Sequence, residues 1–294
     1  MDIGIVVGDA RGPSSARDLV DRAEQVRDAG LGTVWASKSM GWDALVALAT
    51  VGAAVPGLRL GAGVVPVPVR HPLVLASQAL SVQAATGNRL TLGIGAGVAA
   101  LTERMFGLVG DRPAHRLREY LEVLLPLLRG EGVDHRGATL TAFGQVDVPD
   151  AEPPEVLLAA LGPRMLRVAG ELTAGTITWM TGVRTLGEHI VPTISRVNPG
   201  ARVVAGLLAC VTDDEAGVRQ QVAEQFALAG QVPEYRAMLD REGVAGPGDV
   251  VVVGTESTVV GHLDRLRDAG VTDFMAMPYG SAREQARTLT VLAG

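Results

Sequence analysis

The chain has 294 residues, 47% of them hydrophobic and 20% charged, and a formal net charge of -6. The length would allow two domains, but α/β barrels use roughly 250 residues as one, so a single domain spanning the whole chain with a large buried core is expected. The acidic balance excludes the basic footprint of a nucleic-acid or anionic-membrane binder, and no apolar stretch reaches the roughly 18 residues of a membrane span, which leaves a soluble, cytoplasmic protein with a small-molecule partner.

Along the chain, short β-rich runs alternate with helical segments, the pattern of parallel βα units. The N-terminus enters a strand with no signal-peptide pattern. The strand runs are Ile3 to Val7, Thr33 to Ser37, Leu58 to Val65, Arg89 to Ile94, Val156 to Ala160, Gly175 to Trp179, Arg202 to Val211 and Thr272 to Met277. Amphipathic helices lie between them, such as Ser15 to Asp28 and Thr258 to Asp268. Each of these two runs into Asp-Ala-Gly, at 28–30 and 268–270, where the glycine suits a left-handed turn before a strand. Eight strands, a helix after each and no linker favour a closed (β/α)8 TIM barrel over an open doubly wound sheet.

Two segments exceed a minimal barrel, and both are expected to cover its mouth. Gly130 to Pro154 reads as a hairpin around Val133 to His135 and Ala138 to Phe143, and Gly230 to Asp249 reads as a long loop rich in Gly, Pro and charge. Val250 to Val253 reads as a short additional strand. The charge-rich helices Arg17 to Asp28 and His115 to Glu122 read as solvated outer faces. Cys210 is the only cysteine and sits in an apolar run, so it is a core residue and no disulfide or cysteine-based metal site exists. His115, His135, His189 and His262 have no metal-ligand spacing, and no metal is expected.

Lys38 is the only lysine among 26 basic residues. It follows the second strand run, at the carboxyl end where barrel enzymes keep their chemistry. The third and fourth units read Leu58-Arg-Leu-Gly-Ala-Gly-Val-Val65, Arg70-His-Pro72 and Gly87-Asn-Arg-Leu-Thr-Leu-Gly-Ile-Gly-Ala-Gly97. They are followed by Pro153-Pro-Glu-Val-Leu-Leu-Ala-Ala-Leu-Gly-Pro-Arg-Met-Leu-Arg-Val-Ala-Gly170 and by Val253-Gly-Thr through Ala269-Gly-Val-Thr-Asp-Phe274. In order and spacing this set resembles the bacterial-luciferase-like family of flavin and deazaflavin oxidoreductases, in particular its branch dependent on coenzyme F420, nearly end to end.

The resemblance implies a non-prolyl cis peptide at Gly63-Val64, where the glycine removes a Cβ that would crowd the bend behind the cofactor's central ring. It implies a cofactor-binding set of Ser37, Gly63, Val64, Gly95, Gly97, Ala160, Leu161, Gly162, Pro163 and Arg164. The residues of Gly162-Pro163-Arg164 suit this independently: proline belongs in a first helical turn, whose free N–H groups favour an anion, and an arginine is a forked phosphate donor. His71, in Arg70-His-Pro72, reads as fixing the loop that enters the next helix.

Departures from the family narrow the chemistry. An Asp-His pair common after strand two is replaced by Lys38 and Ser39, and a Glu of the sugar-phosphate dehydrogenases is replaced by Val98, so a histidine-base alcohol oxidation does not transfer. The expected catalytic residues are therefore Lys38 and Ser39, with Met40, Trp42 and Trp179 lining the substrate pocket. Burial against aromatic rings would lower the lysine pKa and let Lys38 protonate a substrate that has received hydride, which fits reduction of a C=C or C=N bond. Alternatively Lys38 is a fixed charge for a carboxylate or phosphate. The reading is an F420-dependent oxidoreductase. An FMN-dependent monooxygenase of the same fold and a non-catalytic cofactor-binding barrel stand as alternatives. The resemblance further implies a homodimer paired through outer helices, with Ala44 to Val55 a contributor.

Overall fold

Strand β1 (Asp2–Val6) and helix α1 (Ala16–Asp28) open the chain, followed by β2 (Thr33–Ala36), α2 (Ala44–Ala54), β3 (Arg59–Ala62), β4 (Val65–Pro66), α3 (Pro72–Thr86) and β5 (Leu90–Gly95). Helices α4 (Ala99–Phe106) and α5 (Pro113–Leu128) lead to a hairpin of β6 (Val133–Arg136) and β7 (Thr141–Gly144). Next come β8 (Glu155–Ala159), α6 (Pro163–Leu172) and β9 (Gly175–Trp179). Helix α7 (Val183–Thr185) continues through a π-helical turn (Leu186–Ile190) into α8 (Val191–Ser195). The chain ends with β10 (Arg202–Val211), α9 (Glu215–Gln225), α10 (Pro233–Glu242), β11 (Val252–Gly254), α11 (Glu256–Asp268), β12 (Asp273–Pro278) and α12 (Ala282–Ala293). This computed structural model describes every residue except 9–11, 13, 38–40 and 109.

Strands β1, β2, β3, β5, β8, β9, β10 and β12 pair in parallel in that order, and β12 returns to β1, closing an eight-stranded barrel wrapped by helices. The expected (β/α)8 barrel is therefore present. Two strands match their sequence ranges at both ends, Gly175–Trp179 and Arg202–Val211. The third run is divided, because the chain bends at Gly63–Val64, whose peptide is cis as expected, and resumes as β4 beside β5. The additional strand is β11, which pairs with the carboxyl half of the long β10. Gly30 and Gly270 have φ of 87° and 86°, the left-handed turns expected of the two Asp-Ala-Gly phrases.

Inside the barrel Val6, Trp35, Leu157, Ile177, Val204 and Met275 form a small separate core. The fully buried indole of Trp35 lies where its neighbours are glycines. A Cβ on Gly61 would stand 2.2 Å from the ring, and one on Gly4 would stand 2.5 Å from the ring nitrogen. Large beside small is how barrel interiors fill without voids. Cys210 is buried in the larger core between strands and helices.

Three expectations need correction. The Gly130 to Pro154 segment is a hairpin, but only its tip, Thr139 and Leu140, lines the cavity at the barrel mouth. Its return strand descends to the opposite end, where Asp150 and Glu152 exchange hydrogen bonds with Asn88, and the Gln83 amide donates to the Glu152 carbonyl. The Gly230 to Asp249 segment contains α10, started by Pro233 in its first turn and stopped by Gly243 at φ 80°. The His115 to Glu122 stretch is not wholly solvated: Glu119 is buried, accepting from the Thr139 amide at 2.9 Å, the Thr139 hydroxyl and the His135 ring at 3.0 Å. This carboxylate pins the hairpin tip to α5.

Candidate active site

One cavity of about 2720 Å³ opens at the carboxyl ends of the barrel strands. Its lining includes Ser37 after β2, Gly63 after β3, Val64 before β4, Gly95 and Gly97 at the end of β5, and Ala160 through Arg164 between β8 and α6. Trp42 and Trp179 line it as well. These sequence-named residues thus come together. Lys38, Ser39 and Met40 lie outside the described residues; Ser37 and Gly41, which flank them in the chain, both line the cavity.

The glycines leave the floor low. A Cβ at Gly63 would stand 2.6 Å from the Met275 sulfur, and one at Gly95 would press on Val64 and Ala159 at 3.0 and 3.2 Å. Gly97 has φ 71°, a conformation costly for residues with side chains. The result is a wall on which a flat group can lie against backbone.

The anion-ready corner is built by α6. Gly162 is its N-cap, Pro163 occupies the first turn, and no side chain caps the helix, so first-turn N–H groups stay available. Arg164 is exposed and, among the described residues, has no ion-pair partner. The Ala160 amide is committed to the barrel ladder through the Ile177 carbonyl at 3.3 Å, which removes it from the donors expected of this loop. Leu161 is held differently: its carbonyl accepts from His189 Nε2 at 2.8 Å, from the π-helical turn. Sequence reading passed over His189 because the two residues are 28 apart and share no motif.

Asp43, Arg70 and Tyr120 form a second polar cluster that the sequence did not single out. Asp43 caps α2 by accepting from Leu45 and Val46 amides at 3.0 and 3.3 Å, and its other oxygen pairs with Arg70. The Tyr120 hydroxyl donates to the Arg70 carbonyl at 3.0 Å, and burial pushes its phenol well up from the usual range, so it remains protonated. Among the described residues, Arg70 Nη1 is a buried donor with no partner. All three residues line the cavity. His71 is the N-cap of α3. Its Nδ1 accepts from the Leu73 amide at 3.3 Å, so Nε2 carries the hydrogen and donates to the Thr141 carbonyl at 2.8 Å. It fixes the loop, as its sequence context implied. Trp42 Nε1 donates to the Ser14 carbonyl at 2.9 Å, which anchors that ring at the cavity wall.

The outer part carries an apolar patch, Leu101, Met105 and Phe106 of α4 with Leu108 beyond it and Phe226 and Tyr235 from the segment between β10 and β11, beside the charged Arg112, Arg116 and Glu234. Helix α10 is fastened there by Glu242, which accepts from the Arg184 and Thr185 amides at 3.1 and 2.7 Å. The arrangement offers a flat backbone floor, an anion corner, partly buried cationic donors and apolar shelter from water. Among the described residues, no helix is long and apolar enough to cross a membrane.

Comparison with known proteins agrees with this geometry. The model of the family described as luciferase-like monooxygenase matches residues 1–273. A Mycobacterium tuberculosis protein provisionally described as a coenzyme F420-dependent oxidoreductase is 28% identical over 356 residues, covering 99% of each chain. The 4-hydroxyprotoasukamycin monooxygenase of Streptomyces nodosus subsp. asukaensis is 26% identical over 299 residues, 90% of this chain and 78% of that one. Among solved structures, an F420-dependent secondary alcohol dehydrogenase in complex with an F420-acetone adduct superposes with TM-score 0.84 at 13% identity, covering 99% of this chain and 97% of that one, which shows the shared fold.

Proposed function

The chain belongs to the luciferase-like monooxygenase family of oxidoreductases, and from that premise we propose that it is a coenzyme F420-dependent reductase of a C=C or C=N bond in a small organic substrate. The observation that carries the reading is the coexistence, in one cavity, of a glycine floor at the strand ends and an uncapped helix start bearing an unpaired arginine. When bound, the reduced deazaflavin supplies a hydride. The floor at Gly63, Gly95 and Gly97 takes the flat ring. The first turn of α6 and Arg164 take the phosphate of the tail, since both offer donors to an anion. Trp42, Trp179 and the apolar mouth exclude water from the reacting face. Lys38 gives a proton to the substrate atom adjacent to the one that accepts hydride, so the double bond gains both across its two ends. The similarity to the 4-hydroxyprotoasukamycin monooxygenase favours a second reading, an FMN-dependent monooxygenase. A homodimer through α2 and α3 is also proposed, on the exposure of Val46 and Val74 there.

The test is a fluorescence titration of the protein with coenzyme F420 and separately with FMN. Selective binding of F420 is expected. Selective binding of FMN overturns the reductase reading in favour of the monooxygenase.

A further inference from the structure

Helix α4 turns its apolar face to the cavity. Leu101, Met105 and Phe106 are 53%, 45% and 46% exposed, Leu108 just beyond is 40% exposed, and all four line the cavity. Glu103 and Arg104 of the same helix do not line it. Only Thr102 of the helix is buried. An amphipathic helix in a barrel normally spends its apolar stripe on the core. Leu101, Met105 and Leu108, three large apolar side chains exposed within eight residues, mark a surface that something apolar covers.

Volume points to what covers it. A single drug-sized ligand occupies roughly 300–1,000 Å³, whereas this cavity holds about 2720 Å³. A flat cofactor on the glycine floor leaves the outer part to a second, sizeable molecule. That part is bounded by the α4 face and, from the segment between β10 and β11, by Phe226 and Tyr235.

We infer that the substrate carries a bulky, rigid apolar body, of the size of several fused rings, seated on the α4 face with its reducible bond directed to the barrel floor. Its affinity rests on Leu101, Met105, Phe106 and Leu108, and not on charged recognition of the body. The inference deepens the proposed function and rests on it only for the reductive step.

The experiment uses cyclic enones graded from one ring to four fused rings. Their binding is read by quenching of tryptophan fluorescence, since Trp42 and Trp179 line the same cavity, and their reduction is read separately with reduced F420. Affinity is expected to rise at least about tenfold from the smallest to the largest, as added apolar area is buried. Met105→Asp and, independently, Leu101→Gln are expected to abolish that gradient while F420 binds as before; both positions are exposed, so melting temperature checks that neither disturbs the fold. A flat size dependence, no enone binding, or an unchanged gradient in both folded variants overturns the inference. Graded binding without any reduction sustains it and overturns instead the reductase reading.

Discussion

His189 Nε2 lies 2.8 Å from the carbonyl oxygen of Leu161, and because a carbonyl only accepts, the proton sits on Nε2. The π-helical turn Leu186–Ile190 thereby holds the peptide that leads into the first turn of α6. The bond orients the loop that leads into the proposed phosphate site. His189→Ala is expected to weaken binding of the intact phosphate-bearing cofactor about three- to tenfold, the worth of one hydrogen bond. The ring fragment lacking the phosphate tail should bind as it does to the wild type. His189→Gln, which keeps a donor, should recover part of the loss. Equal weakening of tailed and tail-less ligands would show a general structural role instead.

Glu119 links pH to the hairpin that reaches the cavity. Burial alone would raise its pKa, but hydrogen bonds from Thr139, from His135 and from the Thr139 and Leu140 amides outweigh that and hold it at about 2 against an ordinary 4.5. A lowered carboxylate pKa contributes stability that is complete above the unfolded value and is lost as pH falls through the folded one. The loss should therefore run from about pH 4.5 down to about pH 2. Urea midpoints across that window should drop more steeply for the wild type than for Glu119→Gln, and at pH 7 the variant should be less stable by about 1 to 2 kcal/mol. Parallel slopes would remove Glu119 from the account of acid lability.

Gly61 should tolerate no side chain. Its added Cβ would lie 2.2 to 2.5 Å from three ring atoms of Trp35, which is itself fully buried in the barrel interior. Gly61→Ala forces the indole or the strand to shift, at a cost of about 1 to 3 kcal/mol. Gly132→Ala, whose Cβ would meet nothing within 4 Å, is the control. Thermal melts should separate the two by several degrees, and coincident melts would mean that Trp35 repacks freely.

Local signals account for what was legible. Strand ends came within a residue or so of the observed ones wherever an apolar run met a helix cap or a glycine, as at Arg202–Val211. Helix α10 escaped notice although Pro233 and Gly243 bracket it, because its surroundings are polar and its apolar stripe is narrow. The cavity-lining positions at Gly63 and Gly95 were legible through the family resemblance, and Arg164 through the same resemblance together with the helix-start chemistry of Gly162-Pro163-Arg164. The Asp43–Arg70 pair, the His189–Leu161 bond and the Glu119–Thr139 contact were not, since each joins residues 20 to 28 apart whose meeting depends on how helices pack.

Lys38 carries the protonation step of the proposed reaction, and two substitutions separate its two conceivable roles. A proton donor must give up a proton near neutral pH; an electrostatic anchor need only stay charged. Methionine removes both capacities, whereas arginine keeps the charge but cannot release its proton in a protein. If Lys38 is the acid, Lys38→Met and Lys38→Arg should both lower kcat about 10²- to 10⁴-fold, and the descending alkaline limb of the wild-type rate profile should vanish from the residual activity. Cofactor affinity should be unchanged in both, because the phosphate is assigned to α6 and Arg164. Recovery in the arginine variant alone, accompanied by weaker cofactor or substrate binding in the methionine variant, would make the lysine an anchor. Normal turnover in both would pass the proton-donor role to another group or to water.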